Sequence, residues 1–439
     1  IPLKAKDRTE DHPIVFGGGP VLTANPEPYC EFFDFIIIGD AENIDTSIID
    51  VIKANKHLPK SEVLKMVADI KGIYVPSLTE YDETKGVTKK GGELLCIEKF
   101  SAPLSKCIST PVLSEKSFFA NTFEIVRGCP QRCGFCLASY LNLPARFCDY
   151  DQIIAGIDFG LKYTNKIALL GALITAHPRF DDICRHILKR KEDIPDLELS
   201  VSSLRADSIS PVIIQTLVAC GQKHSTIAIE AGSERLRKLI NKNLSEKQIF
   251  ETVKTAYENG LKGLKIYAMV GHPTETKHDI DEMIALAKKL KTSFKDFDFT
   301  FSFATFVPKS HTPFQFCERE SVKSLEQKYE YLKKEFHKLG VKIRTSSVKW
   351  DYWQALISRG DRRLCDYLVS VYKDGANLGA FKQTYKNMYK QKLLPPSEEF
   401  ALRKRDINEN LPWDFIKMPP SKEALIKEYQ RLLGECNKV

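Results

Sequence analysis

No apolar run in this sequence approaches the roughly 20 residues that span a bilayer. The richest stretch, Phe35-Ile36-Ile37-Ile38, is only strand-length. No signal peptide is visible, so the expected location is the cytoplasm. The chain opens abruptly at Ile1 rather than Met, as a fragment would, and a targeting signal ahead of it would then be lost from view. A strong charge of either sign is also lacking. The net charge of +8 is spread along 439 residues; it permits an anionic partner, nucleic acid included, without demanding one. Nor is there a disulfide framework, since twelve cysteines in so long a chain without a secretory signal do not read as one. Nine of the twelve lie far apart, and the other three, Cys129, Cys133 and Cys136, fall within eight residues.

What is present is an ordinary globular balance, 43% hydrophobic and 28% charged, enough for two or three domains. Residues 1–75 read as the end of an α/β unit. Strands are expected at Pro13–Phe16, running into Gly17-Gly18-Gly19, and at Phe33–Ile38, with helices over 44–55 and 60–71. Residues 76–120, punctuated by Gly and Pro, read as a linker with one or two short strands. From 121 to 317 six apolar runs alternate with helical patterns: Phe123–Val126, Ile167–Leu170, Leu197–Val201, Thr226–Ile229, Leu264–Val270 and Phe299–Val307. The clearest helix starts at Ser245 with Gln248 three residues on, a capping box, and stops at Gly260. Six strand-then-helix units predict a parallel sheet wound into part of a barrel. Residues 318–439 are expected to form a helical extension with a loosely ordered, Pro-rich, charged tail.

The most specific segment is Arg127-Gly128-Cys129-Pro130-Gln131-Arg132-Cys133-Gly134-Phe135-Cys136. Cysteine thiolates are the usual ligands of iron–sulfur clusters, which normally take four. Three cysteines at spacings of four and three therefore leave one iron open. Gly134 is expected to let the loop turn tightly between two ligands. The loop follows the first barrel strand, at the strand end where barrel enzymes place their chemistry. Cys-x3-Cys-x2-Cys with an aromatic before the last cysteine resembles the radical S-adenosylmethionine superfamily. The resemblance implies a [4Fe–4S] cluster on Cys129, Cys133 and Cys136, with S-adenosylmethionine on the open iron and Phe135 near its adenine. It also implies reductive cleavage to a 5′-deoxyadenosyl radical, and an electron donor such as flavodoxin or ferredoxin.

The other strand ends carry suitable residues. Strand two ends in Gly171-Ala172, small enough for a cofactor to approach the backbone, and strand three in Ser202-Ser203-Leu204-Arg205-Ala206-Asp207. Arg205 could hold a carboxylate or simply pair with Asp207 at a surface turn. Strand four ends in Glu230-Ala231-Gly232-Ser233, five in Gly271-His272-Pro273-Thr274-Glu275, and six in Pro308-Lys309-Ser310-His311-Thr312-Pro313. These stretches, with Asn241-Lys242 and Ser358-Arg359-Gly360-Asp361-Arg362-Arg363, resemble the branch of the superfamily that carries an N-terminal cobalamin-binding domain. The resemblance covers residues 10 to about 375. It implies S-adenosylmethionine contacts at Ser203, Arg205, Glu230 and Gly232, and methyl transfer to an unactivated carbon. It also implies a Gly-rich cobalamin turn at Gly17, Gly18 and Gly19, whose upstream half-sheet is missing here; His12 does not occupy the position of a cobalt ligand.

Two rival readings follow from the cysteines. A methylthiotransferase of RNA or protein would need a second cluster, for which Cys30, Cys96 and Cys107 are dispersed. A non-catalytic zinc-stabilised binding protein would recruit Cys148 as a fourth ligand.

Overall fold

In a computed structural model of the chain, which describes residues 1–42, 44–104 and 121–434, all six apolar runs expected as strands are strands. Three parts precede the barrel. β1 (Phe16–Gly17), β2 (Phe35–Ile37) and β3 (Ile73–Tyr74) form a small sheet in that order, β1 parallel and β3 antiparallel to β2. The expected helices lie beside it at Ile44–Ala54 and Lys60–Ala68. A hairpin of β4 (Thr79–Asp82) and β5 (Gly86–Lys89) follows, then β6 (Ile97–Glu98). The expected first strand, Pro13–Phe16, is shorter and later than its apolar run suggested. Residues 105–120 of the linker, Cys107 among them, lie outside the described residues.

The barrel strands are β7 (Asn121–Arg127), β9 (Lys166–Gly171), β10 (Glu198–Val201) continuing as β11 (Leu204–Arg205), β12 (His224–Glu230), β13 (Gly263–Val270) and β14 (Asp298–Thr305). Neighbours are parallel throughout, with β8 (Arg146–Phe147) antiparallel outside β7 and β15 (Lys342–Thr345) parallel outside β14. The fold is therefore a partial (β/α)6 barrel after part of a Rossmann-like unit, with a helical C-terminal extension that lends the barrel sheet an edge strand.

Each strand alternates. Phe299, Phe301 and Phe303 of β14 and Ile227 and Ile229 of β12 are buried toward the helices, where one apolar core runs from Phe123 to Val348. Their alternates, such as Ser200, Tyr267 and Ala304, stay exposed on the inner face. A closed barrel fills that face with bulky aliphatic layers; this one keeps it open. The capping box at Ser245 and Gln248 forms as expected, with Ile249, Val253 and Ala256 buried behind it.

The expected loose tail is overturned. Leu411, Trp413, Phe415, Ile416 and Met418 are buried between the charges, and β16 (Ile416–Lys417) pairs in parallel with β6. The closing helix, Lys422–Gly434, then buries Leu425, Tyr429 and Leu432, one apolar stripe at helical spacing. Composition masked this stripe, because charged residues occupy the opposite face. Ser358–Arg363 is a junction: Arg362 Nε stands 3.1 Å from Glu27, which is fully buried, and donates through Nη2 to Tyr74 Oη at 2.7 Å. Asp361 accepts from Tyr81 at 3.0 Å and pairs with Arg363 at 2.7 Å. The extension is thereby stitched to the N-terminal unit.

Candidate active site at the barrel mouth

The three-cysteine loop leaves the carboxyl end of β7 and ends at the helix Leu137–Leu141, capped by Cys136. Gly128 has φ 86°, and a Cβ there would meet the Asn142 carbonyl oxygen at 2.4 Å, so glycine is required. Gly134 corrects its expected role. It is not the left-handed turn; Arg132 is, at φ 52°. A side chain at Gly134 would instead press on Phe314 and Leu432 at 3.0 Å. The loop is held from several sides. Gly134 N–H donates to Ile240 O at 2.9 Å, Phe314 N–H to Gly134 O at 3.1 Å, and Asn241 Nδ2 to Arg132 O at 2.9 Å. Ser139 Oγ donates to Cys129 O at 2.7 Å.

Burial pushes the Cys133 thiol up to about 12 and raises Cys129 and Cys136 as well. Lys242 pulls all three down, and Arg205 pulls on Cys129 and Cys133. Thiols so placed become thiolates by coordination to a cationic centre, which deprotonates them outright. Cys148 does not join them. It is buried in the apolar core with Phe123, Ile125 and Ile153, which removes the fourth ligand of the zinc reading. Among the described residues no three His, Cys, Asp or Glu side chains converge on a single ion. A four-iron cluster takes each thiolate on a different iron, so its ligands need no such convergence. The donor set of three cysteines fits that cluster.

Arg205, Glu230 and Lys242 surround the loop. Lys242 Nζ lies 3.2 Å from Glu230 Oε1, both side chains being nearly buried. Arg205 is buried, its Nε donating to Asp207 at 2.6 Å and its Nη2 to the Lys242 carbonyl. The Arg205–Asp207 pair thus exists, but beneath the site rather than at a surface turn. Glu230 holds φ 68°, at a bulge where β12 shifts register against β13. His272 is buried between Phe135 and Phe306, with ring centroids 6.0 and 5.9 Å away. Its Nε2 faces Glu230 O at 3.4 Å, Nδ1 has no partner among the described residues, and burial lowers its pKa to about 4.

The expected glycines have other neighbours. A side chain at Gly171 would strike the Val126 carbonyl at 2.8 Å, and one at Gly232 would strike Met283 N at 2.4 Å. Both let elements pack closely. Ser203 is exposed just beyond β10. A Cβ at Gly17 would strike Leu22 and Phe33 at 2.7 Å, one at Gly18 would stand 3.5 Å from Ile37, and Gly19, φ 91°, opens the helix Pro20–Ala24. Lys242, noticed in the sequence only as part of a similar stretch, is the residue whose place in the site went unassigned. A lysine twelve residues past a glutamate signals no pairing without the fold.

Two family models match, one described as the radical SAM superfamily over residues 123–287 and one as radical SAM proteins, N-terminal, over residues 1–76. An uncharacterized protein of Methanocaldococcus jannaschii is 32% identical over 367 residues, 83% of this chain and 75% of its own length. The chain belongs to the radical SAM superfamily. As such it is an enzyme that uses a [4Fe–4S] cluster and S-adenosylmethionine and needs a reductant. The ribosomal protein uS12 methylthiotransferase RimO of Thermosipho melanesiensis is 27% identical over 38% of this chain and 41% of its own. Among solved structures, the radical S-adenosylmethionine methyltransferase TsrM of Kitasatospora setae, with cobalamin and a [4Fe–4S] cluster bound, aligns at TM-score 0.50 and 14% identity. That alignment covers 69% of this chain and 59% of TsrM, and it shows a shared fold. No described helix is long and apolar enough to cross a membrane.

Proposed function

We propose that this chain is a radical S-adenosylmethionine methyltransferase whose substrate enters the open inner face of the barrel. One observation carries the reading. Gly19 and Gly39, at the ends of β1 and β2, share a cleft with Glu124 and Arg127 of the strand that leads into the cysteine loop. An α/β unit whose strand ends open beside the cluster loop is placed to present a second cofactor there.

Cys129, Cys133 and Cys136 would hold the cluster, which, once reduced by an electron donor, would supply the electron for reductive cleavage of S-adenosylmethionine. Lys242 and Arg205 keep positive charge beside the loop, favouring bound thiolates and a bound carboxylate. Glu230 is oriented by Lys242 to accept from a ribose or amino group, and Phe135, braced from behind by the tilted ring of His272, would face the adenine. The open strand face leaves room for substrate. Flavodoxin or ferredoxin is the class of electron donor expected.

Cobalamin, when bound, would supply a methyl carrier, and the turns at Gly17–Gly19 and Gly39 would face it. The cleft measures about 260 Å3, below the roughly 300–1,000 Å3 of small-ligand sites, and Phe100 O lies 2.0 Å from where Gly39 would carry a Cβ. The residues described fit one edge of a corrinoid. Hydroxocobalamin is therefore expected to titrate this chain weakly, and tight stoichiometric binding would refute that fit.

Against methylthiolation stands the placement of the remaining cysteines. Cys30 is fully buried against Cys365, while Cys96 is exposed. The discriminating experiment is anaerobic incubation with S-adenosylmethionine and dithionite, with iron counted beforehand. One cluster gives about four irons per chain, and a second would double that. Methyl transfer yields S-adenosylhomocysteine beside 5′-deoxyadenosine. Absence of S-adenosylhomocysteine under every substrate and carrier condition would overturn the methyl step and leave reductive cleavage standing.

A further inference from the structure

A cavity of about 560 Å3 lies in the helical extension and shares no residue with the strand ends of the barrel. Its walls are aromatic: Tyr352 and Trp353 from the helix Val348–Arg359, Tyr385 and Tyr389 from the helix Leu378–Lys390. Trp353 packs edge-on to Tyr352 at 5.4 Å and tilted against Tyr385 at 5.9 Å, so the box is preassembled. Tyr385 and Tyr352 are tied from behind, Tyr385 Oη to Pro395 O at 3.1 Å and Tyr352 Oη to Ser397 Oγ at 2.6 Å.

The rim is cationic. Lys382 and Lys386, four residues apart and exposed, stand on one side of the cavity with no carboxylate partner among the described residues. Their helix carries Lys390 as well and no acidic residue at all. Lys349 also lines the cavity, 4.0 Å from Glu326, and Glu398, the one carboxylate among the described lining residues, already accepts from Ser397 at 3.2 Å. A solvated lysine face alone would not need an aromatic box at its foot. Planar walls beside unpaired ammonium groups suit a ligand that is aromatic at one end and a polyanion at the other.

We infer that this cavity binds a nucleobase carrying phosphate, as single-stranded nucleic acid presents it: the base against the aromatic wall that Tyr352, Trp353 and Tyr389 line, the backbone along Lys382 and Lys386. The proposal concerns binding and does not depend on which group the barrel transfers.

The test uses the full chain, cluster loaded, with S-adenosylmethionine saturating so that its own adenosine site is filled. Single-stranded oligoadenylate is titrated while Trp fluorescence is read, with Trp350→Phe confining the response to Trp353 and the buried Trp413. Saturable quenching is expected, weakening as salt rises. In the double variant Lys382→Glu, Lys386→Glu, affinity should fall at least tenfold. Its log–log salt slope should be shallower by about 1.4, the loss of two single-strand phosphate contacts. Adenosine monophosphate binding as tightly as the oligomer would keep the base-and-phosphate chemistry and assign the site to a free nucleotide. No quenching, or equal binding of poly-glutamate, would overturn the inference.

Discussion

Glu230 sits in a backbone conformation that disfavours every residue with a Cβ, φ 68°, at a cost of about 1–2 kcal/mol. Its carboxylate is paired with Lys242 where both side chains are almost buried, 14% and 9% exposed. Removing one partner alone strands the other charge, which costs about 3–5 kcal/mol in a buried pair. Removing both, as Glu230→Gly with Lys242→Met, leaves no unpaired charge and relieves the backbone. Against the 1–2 kcal/mol regained stands the larger unfolded-state entropy of glycine, about 0.5–1 kcal/mol. The double variant should therefore be more stable than the parent by about 0.5–1 kcal/mol, read as a higher midpoint in anaerobic urea titration. If the strained carboxylate is there to hold S-adenosylmethionine, affinity should fall as stability rises. Loss of one charged hydrogen bond, about 1.5–3 kcal/mol, is about 10- to 150-fold. Equilibrium dialysis against labelled S-adenosylmethionine measures it. A double variant that is destabilised while binding the cofactor unchanged would refute the reasoning, since the conformation would then serve packing alone.

Replacing Cys129, Cys133 or Cys136 with Ala should abolish the brown cluster absorption, whereas Cys148→Ala, in the apolar core, should retain full iron content; loss of iron there would restore a fourth ligand. Arg362→Met leaves Glu27 fully buried without its guanidinium, and should lower unfolding free energy by about 3–5 kcal/mol by calorimetry or urea titration. Its companion Arg362→Met, Glu27→Gln should recover part of that. His311 is buried beside the Ala24 carbonyl and Lys99, with its pKa lowered to about 3 by desolvation. The unfolded chain binds the proton first, near pH 6.5, so stability should fall as pH drops below that, by about 1.4 kcal/mol per pH step. His311→Asn, which tolerates the φ of 55° there, should flatten the dependence, and an unchanged slope would mean that other groups carry it.

The barrel was legible because each strand's core-facing residues form an apolar run and each helix its own 3.6-residue stripe, as from Ser245 to Gly260. Both signals are local. What escaped was long-range. Glu27 and Arg362 meet across 335 residues, and nothing near either one announces the other. The tail misled for a related reason: its apolar positions find partners in the loop at Phe314 and in β6, so its charge content described only the solvent face. In the site, the cysteines declared themselves by spacing and Glu230 by its place at a strand end, whereas the pairing of Lys242 with it did not. Glycine spacing misled at Gly134, where the missing side chain accommodates Phe314 and Leu432 rather than a turn.

That last contact changes how the extension relates to the chemistry. The cysteine loop is pinned through Gly134 to Ile240 after β12, through its carbonyl to Phe314 after β14, and through close packing to Leu432 of the closing helix. Phe314 and Leu432 belong to one buried cluster with Trp413, whose indole N–H donates to Gln315 at 2.8 Å. Gln315 in turn accepts from the His311 backbone at 3.0 Å. A ligand loop of about ten residues has too few internal hydrogen bonds to fix three thiolates by itself, and rigid placement of ligands comes from what surrounds them. Here those surroundings come from strand ends four and six and from the last helix. The carboxyl-terminal residues, which look dispensable by composition, are therefore part of what positions the cluster loop, and the extension and the barrel form one structural unit around it.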